Sequence, residues 1–393
     1  MKNEKEIHFH IFLSCFIFSL GTLKVSAATM DFTISPQIPS NQANPDEGFF
    51  DLLMPNPGSE QNLQIVFKNI SKKAITVEAS IAPATTSSTG IVQYTETQGS
   101  LDPSLKYNIK DLVQFPSEIN LLAGESKTIS FRVKMPDVNF NGLIAGGLTF
   151  KEKASHQSTN STKGIMLTNL YQYMISILMR QVHNKQMPQL TLSNVDASQN
   201  NTRNVIAVNL ENSAPYFFCN LNVKADVTGL TNKTLSYHFK NSSMQMAPNS
   251  NFNLAIPVSI QGPLASNQYS KPLQAGNYKM TMTAYGQEDS SGVYSALDTS
   301  GQLQHYDYRW SFSKNFTITQ AQANKLNRTD MSIQKVNDNW LIGLGAGVLL
   351  FILVVFFFLF ILRKRRKKSN DEKRALQNKI NDMQKELEKK NNN

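Results

Sequence analysis

The chain has 393 residues, 17% of them charged, with two cysteines and a formal net charge of +10. Residues 363–393 hold twelve Lys or Arg against five Asp or Glu, and residues 1–27 add one further positive charge, which leaves +2 for residues 28–362. So neutral a body excludes the basic footprint of a nucleic-acid-binding domain. Cys219, the one cysteine beyond residue 27, excludes an internal disulfide.

Lys2 and Lys5 precede an apolar run at residues 11–23 that is too short to cross a hydrocarbon core of about 30 Å as a helix. The small residues Val25, Ser26, Ala27 and Ala28 follow. Residues 1–27 therefore read as a signal peptide, cleaved after Ala27 or Ala28.

A loop of unusual composition comes next, residues 36–58, in which Asn41, Gln42, Phe49, Phe50 and Asp51 cluster among prolines. Two readings of it stand side by side. Amide and carboxylate groups beside aromatic rings suit the hydroxyls and apolar faces of sugars and the groups of peptides, which makes these five residues the candidate ligand site. In the other reading Phe49 and Phe50 cap a hydrophobic core and the amides close turns, the local task of turn residues in general.

Beyond the loop, apolar residues alternate at Leu63, Ile65, Phe67, then Ile75, Val77, Ala79, Ile81, then Ile129, Phe131, Val133, Met135. Period two with polar residues between marks half-buried strands. The stretch Tyr171, Tyr173, Ile175, Ile177, Met179 alternates less cleanly but keeps that period. After a break at Met187 and Pro188, alternation resumes at Ile206, Val208, Leu210 and again at Phe217, Cys219, Leu221, Val223. Further strands carry Phe252, Leu254, Ile256, then Tyr278, Met280, Met282, then Trp310, Phe312, Phe316. Many short strands with Gly, Pro, Asn and Ser turns predict an all-β fold, two immunoglobulin-like β-sandwich domains at residues 28–186 and 187–320. Residues 321–339 read as a polar linker. The parity of Cys219 predicts a buried small hydrophobe, with a reactive thiol or an intermolecular disulfide as the alternatives.

Residues 340–362 are 23 in number without a charge, which matches a single transmembrane α-helix. Six basic residues, 363–368, follow directly, and basic flanks stay in the cytoplasm. The expected location is the cell membrane, single-pass, with the large part outside facing the cell wall and a basic cytoplasmic tail at 363–393. In that tail Leu376, Ile380, Met383 and Leu387 share one face of a helix, either a partner-binding stripe or a solvated helix beside lipid head groups.

Chemistry is sparse. The histidines past the signal peptide are His156, His183, His238 and His305, with no HExxH pair, and there is no GxSxG elbow, no GxxxxGK loop and no GxGxxG after a strand. The reading is a non-enzymatic protein with no catalytic residue, cofactor or metal site. Seven Asn-x-Ser/Thr sequons in an Asn-rich chain, Asn69, Asn160 and Asn327 among them, read as chance.

The order of short motifs resembles the WxL-interacting proteins of Gram-positive bacteria. The stretch carried by Phe49, Phe50, Asp51 and Leu52, then Pro57 and Gly58, then Gly146, Gly147, Leu148, Thr149 and Phe150 look like that family's N-terminal domain. Leu210, Glu211 and Asn212, then Ala275, Gly276, Asn277 and Tyr278, then Arg309, Trp310, Ser311 and Phe312 look like its C-terminal domain. The resemblance implies a surface scaffold for adhesion whose first domain binds peptidoglycan. It implies a second domain that engages a WxL-domain surface protein or a host extracellular ligand. A single-pass sensor that signals through a partner recruited to the tail is the alternative.

Overall fold

The computed structural model describes residues 30–96, 100–153, 171–183, 187–335 and 339–391. The signal peptide expected at residues 1–27, His156 and Asn160 lie outside the described residues. The chain divides into two units, Met1–Ser332 and Ile333–Asn393.

The first unit holds two immunoglobulin-like β-sandwiches. In the first, β1 (Phe32–Gln37), β2 (Phe50–Leu53), β3 (Glu60–Asn69), β4 (Ile75–Pro83) and the short β5 (Thr85–Thr86) and β6 (Val92–Gln93) come first. They are followed by β7 (Val113–Gln114), β8 (Glu118–Leu121), β9 (Ser126–Lys134), β10 (Ile144–Glu152) and β11 (Gln172–Arg180). One sheet has the order β1-β3-β9-β7 and the other β2-β11-β10-β4-β8. Alternation is the physical cause: β3 buries Leu63, Ile65 and Phe67 and exposes Asn62, Gln64 and Lys68. Between the sheets Phe67 meets Phe150 edge-on at 5.1 Å, and Phe131 meets Phe115 at 5.0 Å and Phe50 at 5.9 Å.

Two adjacent glycines let β10 sit at the centre of its sheet. A Cβ on Gly146 would stand 2.3 Å from Ile109 on the inner side, and one on Gly147 would stand 2.9 Å from Tyr94 on the outer side. Each face of the strand is approached too closely for a side chain.

The second sandwich comprises β12 (Leu190–Asn200), β13 (Arg203–Asn212), β14 (Phe218–Gly229), β15 (Ser236–Met246), β16 (Ser250–Pro257), β17 (Gly276–Glu288), β18 (Tyr294–Leu297) and β19 (Leu303–Ile318). The sheets have the orders β12-β13-β16 and β15-β14-β17-β19-β18. Their core joins Val208, Leu210, Leu221, Val223, Met280 and Met282.

Cys219 departs from the expectation of burial: it is exposed. The register of β14 shifts between Phe218 and Leu221, where Asn220 takes a φ of 52°. This bulge adds a residue and resets the alternation, so Phe218 points into the core while Cys219 leaves the parity of Leu221. Desolvation by the surrounding protein still pushes the thiol pKa up. Access is decided by the exposed surface, ionisation by the neighbours.

Within the polar stretch expected as a linker at 321–339, the residues up to Ser332 belong to the first unit. Helix α1 (Gln320–Thr329) starts at Thr319, whose side chain accepts from the Gln322 amide, and it buries Ala323 completely. The chain stays fastened through Asp330, which has no exposed surface. Its carboxylate accepts from Ser259 at 2.6 Å, from the Asn204 amide at 2.8 Å and from Ser332 at 2.5 Å. Burial opposes ionisation, yet these hydrogen bonds hold Asp330 below the usual carboxylate range. Asn327 also bonds inward, to Leu273 and Asn204, and Asn69 is wholly buried with its amide on Lys73, Leu121 and Leu122, so both sequons serve the fold.

The two sandwiches share a buried seam. Ala84, Leu143, Ala145 and Leu178 of the first meet Ala247 of the second, with Phe49, Tyr94 and Phe217 packed around them. Main-chain bonds cross it from Gln245 to Gly90 at 2.7 Å and from Leu143 to Pro215 at 2.9 Å. Thr86 Oγ1 lies 2.9 Å from Ser250 Oγ and accepts from the Ala247 amide at 3.0 Å. Asn251 donates to Asp102 at 2.6 Å, and against the opposing effect of burial, bonds from Ser104 and Asn251 lower the Asp102 pKa. That contribution is present above the ordinary carboxylate range and is lost as pH falls through the lowered pKa.

The second unit is the helix α2 (Asn339–Asn391). It is long and apolar enough to cross a membrane, and Leu376, Ile380 and Met383 on it are exposed.

Two outcomes follow from these departures. Asp330→Ala strands the buried amide of Asn204 and lowers unfolding free energy by about 2–3 kcal/mol, read from urea denaturation of residues 29–332. Cys219 labels to completion with a thiol reagent without denaturant, more slowly than in the unfolded chain at neutral pH, and the gap closes as pH rises above the ordinary thiol range.

Candidate functional site

Cross-strand partners share a face of a sheet, so the register of β10 writes the outer face of the first five-stranded sheet as successive rows. Ala145 stands beside Leu178, Gly147 beside Ser176 and Ala82, and Thr149 beside Met174 and Ser80. Lys151 stands beside Gln172 and Glu78, and Glu78 beside Glu118. The face therefore grades from apolar to charged along the strands. Its apolar end is covered by the second sandwich, and Tyr94 covers Gly147 and takes the Thr149 hydroxyl, which leaves Ser80, Met174 and the charged row open.

These rows form a groove of about 420 Å³ lined by Glu78, Ser80, Glu96, Glu118, Thr149 and Lys151, among others. Each acid has a lysine: Lys151 lies 3.1 Å from Glu78, Lys110 2.5 Å from Glu96 and Lys153 2.5 Å from Glu118. The Lys110 hydrogen bond draws the Glu96 pKa down, and the Glu118 hydrogen bond raises that of Lys153. Exposed pairs of this kind are worth about 0–1 kcal/mol. A ligand amine or carboxylate replaces one partner at small cost, and Ser80 offers an exposed hydroxyl beside them, whereas Thr149 is buried with its hydroxyl on the Tyr94 carbonyl.

The five loop residues are brought together, and their polar atoms serve the loop. The side-chain amides of Asn41 and Gln61 bond reciprocally at 2.8 Å, and Asn41 also donates to the Leu53 carbonyl. Gln42 donates to the Phe49 carbonyl at 2.5 Å and accepts from the Asp51 amide at 3.1 Å. Asp51 is buried and paired with Arg180 at 2.5 Å. Phe50 has no exposed surface, and Phe49 packs against both the first core and the seam. At the tip of this loop Asn44, Pro45 and Asp46 are open to solvent.

Two features escaped the reading of the sequence. The groove is one, although the polar parity of Glu78 with Ser80 and of Thr149 with Lys151 carried its signal. The other is a line on the second sandwich in which Ser236 Oγ lies 2.8 Å from His238 Nε2 and His238 Nδ1 lies 2.6 Å from Asp226. The order of groups is that of a nucleophilic triad, but the imidazole lies on an open sheet face with 69% of its side chain exposed, where bulk water screens the pair and competes for each hydrogen bond. Among the described residues there is no cluster of metal-ligating side chains.

A family model described as the WxL Interacting Protein peptidoglycan binding domain matches residues 32–152, and one described as the WxL Interacting Protein host binding domain matches residues 162–328. The chain belongs to the WxL-interacting protein family. Both matched domains are binding modules by description, one for peptidoglycan. The second match takes in β11, which in this WxL-interacting protein pairs between β2 and β10 of the first sandwich. No curated protein matches the chain. Among solved structures it is similar to PapD-like domain 7 of human CEP192, at 10% identity over 42% of this chain and 96% of that one, TM-score 0.25. It is also similar to the Salmonella enterica SafA pilin in complex with the SafB chaperone, at 9% identity over 73% and 98%, TM-score 0.27. A third is the CsuC-CsuE chaperone-tip adhesion subunit complex of Acinetobacter baumannii, at 15% identity over 58% and 91%, TM-score 0.26.

Burial separates the two candidate surfaces experimentally. Phe50→Ala empties a core position and costs about 3–5 kcal/mol, whereas Lys151→Ala on the open groove costs less than about 1 kcal/mol, both measured by chemical denaturation.

Proposed function

We propose that this protein is a membrane-anchored scaffold of the cell wall. The groove of the first sandwich holds peptidoglycan, and the second sandwich engages a WxL protein and a host ligand. The α2 helix crosses the membrane once, with both sandwiches outside. The observation that carries this reading is that the two family matches fall on sandwiches joined by a buried seam. A wall-bound first sandwich then presents the second in one attitude, which is what a scaffold requires.

The groove suits peptidoglycan chemistry. That polymer offers sugar hydroxyls, acetamido groups and the amines and carboxylates of short peptides, and the groove sets donors and acceptors side by side. The loop from Asn41 to Asp51 supports the sandwich from within, since its amides bond β2, β3 and the loop itself and the Asp51 carboxylate ties β2 to Arg180 of β11. Residues 363–368 at the end of the apolar run support a cytoplasmic tail.

Purified peptidoglycan co-sediments with the ectodomain, and Glu78→Ala with Lys151→Ala reduces the bound fraction at least about fivefold, roughly 1 kcal/mol, with the melting temperature preserved. Equal sedimentation of the double variant removes the groove from the reading. Failure of the folded wild type to sediment removes wall binding itself.

A further inference from the structure

The outer face of the second sandwich's five-stranded sheet carries a charge pattern that neither the groove nor the anchor uses. Its inner positions Met280, Met282 and Ala284 are buried, and the alternate positions face solvent. Register places Thr281 beside Ser313 and Thr283 beside Ser311, four hydroxyls in the middle of the face. Around them stand cations: Lys224 and Lys240 are cross-strand neighbours, Lys279 lies beside Thr228, and Arg309 lies beside Tyr285 with its guanidinium 5.9 Å from that ring.

The carboxylates beside these cations are Asp226 and Asp307 on the strands and Asp298 on the loop after β18. Asp226 is bonded to His238, and Asp307 has a partner of its own. Lys240 donates to the main-chain carbonyl of Asp298 at 2.6 Å. Lys224 and Lys279 stand on the strands away from the Asp307 end of the face, and Arg309 stands two residues from Asp307 on the same strand. The three two-residue steps along the strands that separate the row of Lys279 from that of Arg309 correspond to about 20 Å. A single anion does not reach across that span; an extended polyanion does.

We propose that this face binds an anionic polysaccharide whose sugar rings carry sulfate or carboxylate groups, the chemistry that heparin represents. The cations would hold the anionic groups, the hydroxyl rows would bond the sugar hydroxyls, and Tyr285 would cover a ring face. This rests on the reading of the second sandwich as the one that engages an extracellular ligand, and it names the class of that ligand.

The test uses the ectodomain, residues 29–332, in which both cores and the seam are complete. It omits the tail, whose twelve basic residues bind polyanions by themselves. On immobilised heparin at physiological salt the wild type binds, and Lys224→Ser with Lys279→Ser weakens binding at least about tenfold and flattens its salt dependence. Lys224→Arg with Lys279→Arg preserves binding within about twofold, and the Glu78→Ala, Lys151→Ala protein binds as the wild type does. Neutral dextran and polyglutamate bind at least about tenfold more weakly than heparin. Equal binding by the serine variant overturns the proposal, as does polyglutamate binding as tightly as heparin. Tighter binding of polyglycerol phosphate also overturns it, in favour of a wall polymer. An ectodomain that retains a WxL protein but not heparin refutes this inference alone, and one that retains neither refutes the underlying reading as well.

Discussion

Strand β10 is approached on both faces at once, and most of the first unit depends on how it meets that demand. Its inner residues Leu148 and Phe150 close the first core, while its outer residues run from Ala145 through Gly147 and Thr149 to Lys151. A central strand between β11 and β4 has no free edge, so its functional capacity lies in the side chains of its outer face. Gly146 and Gly147 mark where space is exhausted, against Ile109 within and Tyr94 without. Because the outer face changes character along one strand, the seam and the open groove occupy different rows of the same sheet.

The seam gives the two sandwiches a common fate. It combines small apolar side chains, Ala84, Ala145 and Ala247, with crossing main-chain bonds and the Thr86, Ser250 hydroxyl contact. Small residues let the backbones approach closely enough for those bonds to form. A seam of exposed lysine and glutamate pairs would be worth little and would loosen with salt. Buried, hydrogen-bonded contact excludes water and makes separation costly. A force or ligand acting on one sandwich is thereby felt as a constraint by the other.

In the second sandwich the same economy appears at the chain end. Asp330 gathers Ser259, Ser332 and the Asn204 amide around one buried carboxylate, and α1 lies over the core, so the chain remains part of the domain as far as Ser332. Opposite roles fall to the two faces of β17, whose methionines fill the core while its threonines and Lys279 meet solvent. The fold thus presents a flat polar platform without needing a loop to build one.

Period-two alternation by itself determined that the body is β and that Leu63, Ile65, Phe67, Val208, Leu210, Met280 and Met282 are core, and the uncharged length of residues 340–362 set that run apart from it. Those features are local: each is written in residues within one strand or one helix. The tertiary structure decided what depends on residues distant in sequence. The imperfect alternation of β11 is one case, since Leu178 lies on the outer parity and is buried by the other sandwich. Cys219 is another, because a bulge at Asn220 shifts parity by one residue and leaves no mark in composition. The polar stretch 320–332 looks like a tether until Asp330 finds its partners, and the loop amides look available until Asn41 finds Gln61. Register, bulges and hydrogen-bond partners are set by contacts across tens of residues, and these, not the pattern within any strand, assign the outer faces to seam, groove or solvent.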